Sequence, residues 1–161
     1  MHAANQRSGP VNWDSWAAGD RCPFDAPRPE RSADWDAVAV LATATLYLPL
    51  NQAYRGHCLL IYDVRHATRP DQLTAAEWAS FTGDLHRATG AVLDVCRPDH
   101  VNVASLGNVM PHLHWHIVPR YKHDPRWGAP IWLADATAEP RTELPADERA
   151  ALLDALRSRL R

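Results

Sequence analysis

The sequence predicts an α+β domain, an antiparallel sheet with one main helix across it and a carboxy-terminal helix. Three observations carry this reading. Stretches rich in Val, Leu, Thr and Ala precede a strongly capped amphipathic segment, two further strand-like stretches follow it, and a second amphipathic segment ends the chain. With 161 residues, 46% of them hydrophobic and 22% charged, the chain has the size and composition of one globular unit with one core. Residues 1–31 are rich in Gly, Pro, Asp and Arg with isolated Trp13, Trp16 and Phe24, and read as an extended arm that packs at a few points, leaving residues 32–161 as the domain. Residues 35–50 and 57–62 read as successive strands separated by a turn-like segment at 51–56. Thr74 and Glu77 form a capping box, and Trp78, Phe81, Leu85, Ala88, Val92 and Val95 recur at helical spacing until Pro98 stops the helix. Residues 100–105 read as a strand, 106–111 as a turn, and 112–118 as a strand ended by Pro119. At the end, Asp147 and Glu148 open a helix that Arg157, Arg159 and Arg161 close, with Leu152, Leu153, Leu156 and Leu160 on one face.

Composition also excludes partners. A formal net charge of -2 provides no global positive field for duplex nucleic acid or an anionic membrane, although a small anion held by local groups is compatible with it. No stretch approaches the ~18 apolar residues of a membrane span, and the first ten residues lack a secretory apolar core. Three cysteines, an odd number in a chain of this size, argue for reduced thiols and a cytoplasmic protein. No internal repeat or low-complexity tract is present.

The chemistry concentrates in His112, His114 and His116, three of nine histidines, which alternate with Leu113, Trp115 and Ile117. On a strand the imidazoles share one face and the apolar residues the other, with consecutive imidazoles stemming from positions roughly 6.6 Å apart. Such a row can line a site for a ligand several atoms long. An imidazole that donates from one nitrogen to a fixed acceptor offers the other as nucleophile or base near neutral pH. The bland alternative is a solvated or hydrogen-bonded histidine face. His57, His86, His100 and His123 read as surface or strand-end residues, and Cys58 and Cys96 as buried thiols. Residues 121–132, with Lys122, Arg126 and Trp127, read as a Pro-containing surface loop, with reach over the site as the alternative.

The motif His112-x-His114-x-His116 followed by apolar residues resembles that of the histidine triad (HIT) superfamily of nucleotide hydrolases and nucleotidyl transferases, in particular a bacterial branch. The likeness extends to Gly56-His57-Cys58-Leu59-Leu60, Arg65-His66, Leu73 and Glu77, Gly107-Asn108 and Pro119-Arg120, over residues 34–120. The resemblance implies that His114 attacks the α-phosphorus of a nucleotide or nucleotide conjugate to give a nucleotidyl-histidine intermediate, with His116 at the phosphate and leaving group. Flanking imidazoles or amides stabilise the charge that develops there. It also places Asn108, where many members have glutamine, and Asn102 near the phosphate. Each has an ordinary turn or strand reading beside this one. Asn51 is the one hydrogen-bonding candidate near the expected ribose ligand, and reads equally as the residue that opens the turn.

Cys22-Pro23-Phe24-Asp25 is similar to the Cys-x-x-Cys of zinc-carrying members, with Asp in place of the second Cys. The resemblance then implies His66 and His112 as the remaining ligands of a structural zinc, no cofactor being required for the reaction itself. A turn with a buried thiol is the alternative. A homodimer is implied as well. Two rival functions stand beside this reading: a metal-dependent enzyme in which all three triad histidines hold one ion, which alternate strand positions accommodate poorly, and a nucleotide-binding module without turnover.

Overall fold

The computed structural model describes residues 12–124, 126–132 and 142–161. A short helix α1 (Trp13–Ala17) leads into strands β1 (Trp35–Val40), β2 (Ala44–Pro49) and β3 (Cys58–Tyr62), then the long helix α2 (Ala75–Cys96), strands β4 (His100–Ala104) and β5 (His114–Arg120), and helix α3 (Ala146–Leu160). The strands form one antiparallel sheet in the order β1-β2-β3-β5-β4. The expected α+β architecture is therefore the one observed.

Strand alternation divides the sheet into two faces with different work. Leu46, Leu60, Trp115 and Ile117 point to the face covered by α2 and α3, where Phe81, Ala88, Val92, Leu152 and Leu156 complete the main core. The opposite face carries the row Tyr47, Leu59, His116, Ala104 and, next to it, Thr45, Ile61 and His114. The arm covers part of that face, burying Cys22 and Phe24 against Tyr47 and Ile61. Arg28, fully enclosed, ties the arm down by bonds to Asp63, the Tyr47 hydroxyl and the Phe24 carbonyl. The arm thus contains a helical turn, α1, that its Gly- and Pro-rich sequence does not announce.

Helix α2 opens with the expected capping box: Thr74 Oγ1 accepts from the Glu77 amide and Glu77 returns the bond to the Thr74 amide. It closes on Arg97 in the left-handed region, one residue before Pro98. Mid-helix, buried Asp84 accepts from the amides of Ala42 and Thr43 and from the Thr43 hydroxyl, which pins the β1–β2 turn.

Strand β5 corrects the expected boundaries. It begins at His114 rather than His112 and runs through Pro119, which pairs with Val101. A proline is tolerated in this central strand because the Leu113 carbonyl faces β3, so that position 119, three pleats on, also faces β3, whose pairing ends at Cys58 opposite Ile117.

Candidate active site

Two residues before β5, the chain turns as the His112 amide donates to the Met110 carbonyl at 2.9 Å. This turn separates the three histidines into two neighbourhoods and corrects the picture of three imidazoles in one row. The His112 ring, 1% exposed, leaves the cleft and joins Cys22, Asp25 and His66. What His112 offers His114 is its backbone carbonyl, 2.6 Å from His114 Nδ1. His114 and His116 remain side by side, with their Nε2 atoms 3.2 Å apart.

A fourth imidazole completes this arrangement. His57, just before β3, places Nε2 at 3.1 Å from His116 Nδ1. It had read as a strand-end residue, and its signal was the Gly56-His57 dipeptide. Gly56 has φ +86°, and a Cβ there would sit 2.3 Å from Cys96 Sγ and 3.0 Å from Pro119 Cγ, so only glycine lets the chain swing His57 toward β5. The hydrogen bonds assign one consistent set of neutral tautomers. His114 donates from Nδ1 to the His112 carbonyl, so its Nε2 bears a lone pair. His116 donates from Nε2 to that lone pair, and His57 donates from Nε2 to His116 Nδ1. Burial favours the neutral forms: it pushes His57 down to about 4 and His116 to about 3, the latter also opposed by the neighbouring His57 and His114. His114 is lowered by burial as well, against the raising influence of its bond to the His112 carbonyl.

Under the arm, one donor atom each from Cys22, Asp25, His66 and His112 lies within 4.8 Å of the others. Asp25 Oδ1 is 2.9 Å from His66 Nδ1 and 3.2 Å from His112 Nδ1, and Cys22 Sγ is 3.7 Å from His112 Nδ1. Both rings direct Nε2 at backbone carbonyls, His112 at Tyr62 (2.7 Å) and His66 at Ala17 (3.3 Å). As neutral rings they donate from Nε2, which leaves both Nδ1 lone pairs aimed at a carboxylate oxygen. Burial lowers His112, opposing a proton there, and it raises the Cys22 thiol. Converging lone pairs with a sulfur beside them need a proton or a cation between them, and the N, N, O, S donor set suits zinc.

The three asparagines are dispersed. Asn102 lies on the histidine face, and its Oδ1 accepts from Arg120, which leaves the Nδ2 donor to offer a ligand. Asn108 is exposed in the β4–β5 loop, next to Gly107, whose carbonyl accepts from Trp13 Nε1 at 3.2 Å. Asn51 is engaged in its turn, Oδ1 accepting from the Ala53 and Thr142 amides. Beyond Arg120, the loop that read as surface does reach the cleft: the Trp132 ring lies 4.9 Å from the His116 ring.

A family profile described as HIT domain matches residues 35–123. The chain belongs to the HIT family. Solved HIT structures share its fold: a histidine triad protein from Bradyrhizobium japonicum (TM-score 0.72, 24% identity, covering 80% of this chain and 92% of that one) and one from Marinobacter aquaeolei VT8 (TM-score 0.70, 22% identity, 80% and 90%). A Zn-bound histidine triad family protein from Mycobacterium smegmatis is similar over 91% of this chain and 89% of its own, with TM-score 0.56 and 18% identity. At these identities the likeness is one of fold. Comparison with curated proteins returns no match.

HIT membership places the chain among nucleotide-binding proteins of hydrolase and transferase type. The His112 geometry bears on the rival metal chemistry of the triad: with the His112 ring bonded to Tyr62 and facing Cys22, Asp25 and His66, the three imidazoles do not converge on one ion. No helix among the described residues is long and apolar enough to cross a membrane.

Proposed function

We propose that this HIT protein hydrolyses, or transfers the nucleotidyl group of, a nucleotide or nucleotide conjugate at the α-phosphate, with His114 as nucleophile. The observation that carries the reading is the His114 ring, whose Nδ1 is held by the His112 carbonyl so that Nε2 presents a lone pair toward the cleft beside His116. A phosphate that enters between the two rings replaces the imidazole–imidazole contact, and His116 then donates from Nε2 to a phosphoryl or leaving-group oxygen. The neutral rings approach an anionic phosphate without giving up a proton first, and the His112 carbonyl stabilises the positive charge that His114 acquires when the N–P bond forms. Water or another acceptor then attacks the same phosphorus and frees His114. The Nδ2 of Asn102 and the exposed amide of Asn108 are available as further donors.

Replacing His114 by Ala removes the only atom that forms the covalent bond, so turnover of nucleotide conjugates is expected to fall at least about a thousandfold with nucleotide binding retained. Wild-type turnover in that variant sinks the mechanism. The cluster of Cys22, Asp25, His66 and His112 fits a zinc ion in a structural role, because it lies under the arm and the proposed reaction uses imidazoles alone. The M. smegmatis protein of the same fold is Zn-bound. A homodimer accords with β4, which lies at an edge of the sheet with Val103 39% exposed. Light scattering that returns a single 18.0 kDa chain at micromolar concentration rejects it. The three cysteines are unpaired, in keeping with a reducing, cytoplasmic location.

A further inference from the structure

Strand β5 ends on Arg120, an even number of residues past His114 and His116, so its side chain rises from the same face of the sheet as theirs. That side chain is 3% exposed and its charge is paired with Asp124. Nε donates to Asp124 Oδ2 at 2.6 Å and Nη2 to the Arg126 carbonyl. Nη1 has two protons, and it donates to the Ala129 carbonyl at 2.9 Å and to Asn102 Oδ1. The guanidinium also lies over the Tyr54 ring, 5.6 Å from its centroid. A cation held in so many directions has one orientation. On one side it grips the loop that roofs the pocket next to β4, lined by Trp127 and Trp132. On the other it grips Asn102, which stands opposite Val118, one step along β4 from the Ala104 that faces His116.

The two ends of an asparagine amide are alike in size and opposite in polarity: the oxygen repels an anionic phosphate, and the nitrogen donates to it. A guanidinium can only donate. Beside Arg120 the amide is therefore held with Oδ1 on Nη1, because the flipped form sets one donor against another and leaves a buried cation short of an acceptor. We propose that Arg120 is a positioning residue for the reaction, fixing the Asn102 amide so that Nδ2 donates to the α-phosphate. The inference rests on the α-phosphate reading above. The charge of Arg120 is spent on Asp124, so the substrate meets the polarity of the amide and never the cation itself. Lysine keeps that charge but lacks the planar fork, and cannot hold Asp124, the loop carbonyls and Asn102 at once.

The test is a double-substitution cycle on Arg120 and Asn102, read with the 4-nitrophenyl esters of adenosine, guanosine, cytidine and uridine 5′-monophosphate. Asn102→Ala should lower kcat/KM about tenfold, and Arg120→Lys by a similar factor. In the Asn102→Ala background, Arg120→Lys should cost no more than about twofold, because its route to the phosphate is gone. A loss of the same size in both backgrounds makes Arg120 a mount for the loop alone and overturns the proposal. Asn102→Asp decides the matter without touching Arg120: the guanidinium holds one carboxylate oxygen and turns the other on the phosphate, so this variant should fall below Asn102→Ala. Equal kcat/KM in the Asp and Ala variants overturns the proposal even if Arg120→Lys does not fold. If the wild type turns over none of the esters, the α-phosphate chemistry fails. The same cycle is then read by calorimetry with the four free monophosphates, where Asn102→Asp must bind more weakly than Asn102→Ala and the coupling to Arg120 must persist. Equal binding, or no binding by the wild type, overturns the positioning role as well.

Discussion

His57 is the residue whose role is least visible from its own surroundings in the chain. Its Nε2–H fixes His116 in the tautomer that donates toward the phosphate, so it acts through His116 rather than on substrate. His57→Leu leaves His116 free to flip or to protonate at the other nitrogen, and kcat is expected to fall on the order of tenfold with KM little changed. His57→Gln keeps an N–H of similar reach and should recover part of the loss. Full kcat in the Leu variant would remove His57 from the relay. The alternation of His114 and His116 with Trp115 and Ile117 was readable directly, because strand period alone decides it. The direction of the His112 ring was not. It depends on a turn at Met110 and on partners 50 and 90 residues away, Tyr62 and Cys22, which no local pattern encodes.

Among the elements, α2 was the most legible and also concealed the most. Its capping box and apolar spacing predict its limits closely, but Asp84, on the same helix face as Phe81 and Ala88, shows no partner until the β1–β2 turn is brought against it. Asp84→Ala leaves two backbone amides and a hydroxyl of that turn without their acceptor, at a cost of about 1–3 kcal/mol. Urea unfolding should show this as a lower midpoint with an unchanged slope, and Asp84→Asn should lie between the variant and the wild type. An unshifted midpoint would mean that water serves the turn equally well. Strand β5 was placed two residues early because the turn at Met110 has no local signal, and ended too soon because Pro119 was taken as a stop. In the folded sheet, the neighbour that would have needed its N–H has already ended.

For the whole molecule, the arm decides stability as well as shape. It brings Cys22 and Asp25 to His66 and His112, so that a metal bound there would link the arm, the segment after β3 and the approach to β5. Protein purified without chelator is expected to carry about one zinc per chain, and its removal to lower Tm and expose residues 12–31 to protease. Turnover per folded molecule should persist. Metal-free protein of full stability would show that the cluster needs no ion and that Arg28 and Phe24 hold the arm by themselves. The family, the sheet and the histidine pair were all accessible from residues close together in sequence. The arm's docking and the pocket roof were hidden because they are made by segments that look irregular in isolation.

The attachment of that roof bears on how the protein can diversify. Arg120 grips the loop through the main-chain carbonyls of Arg126 and Ala129 and through a single side chain, Asp124. A segment anchored by its backbone keeps its path when its other side chains change, so positions 127 and 130 are free to drift while the sheet and the histidines beneath stay constant. Arg120 and Asp124 therefore act as a fixed mount for an exchangeable surface, the arrangement from which new substrate preferences can evolve by single substitutions at little cost to folding.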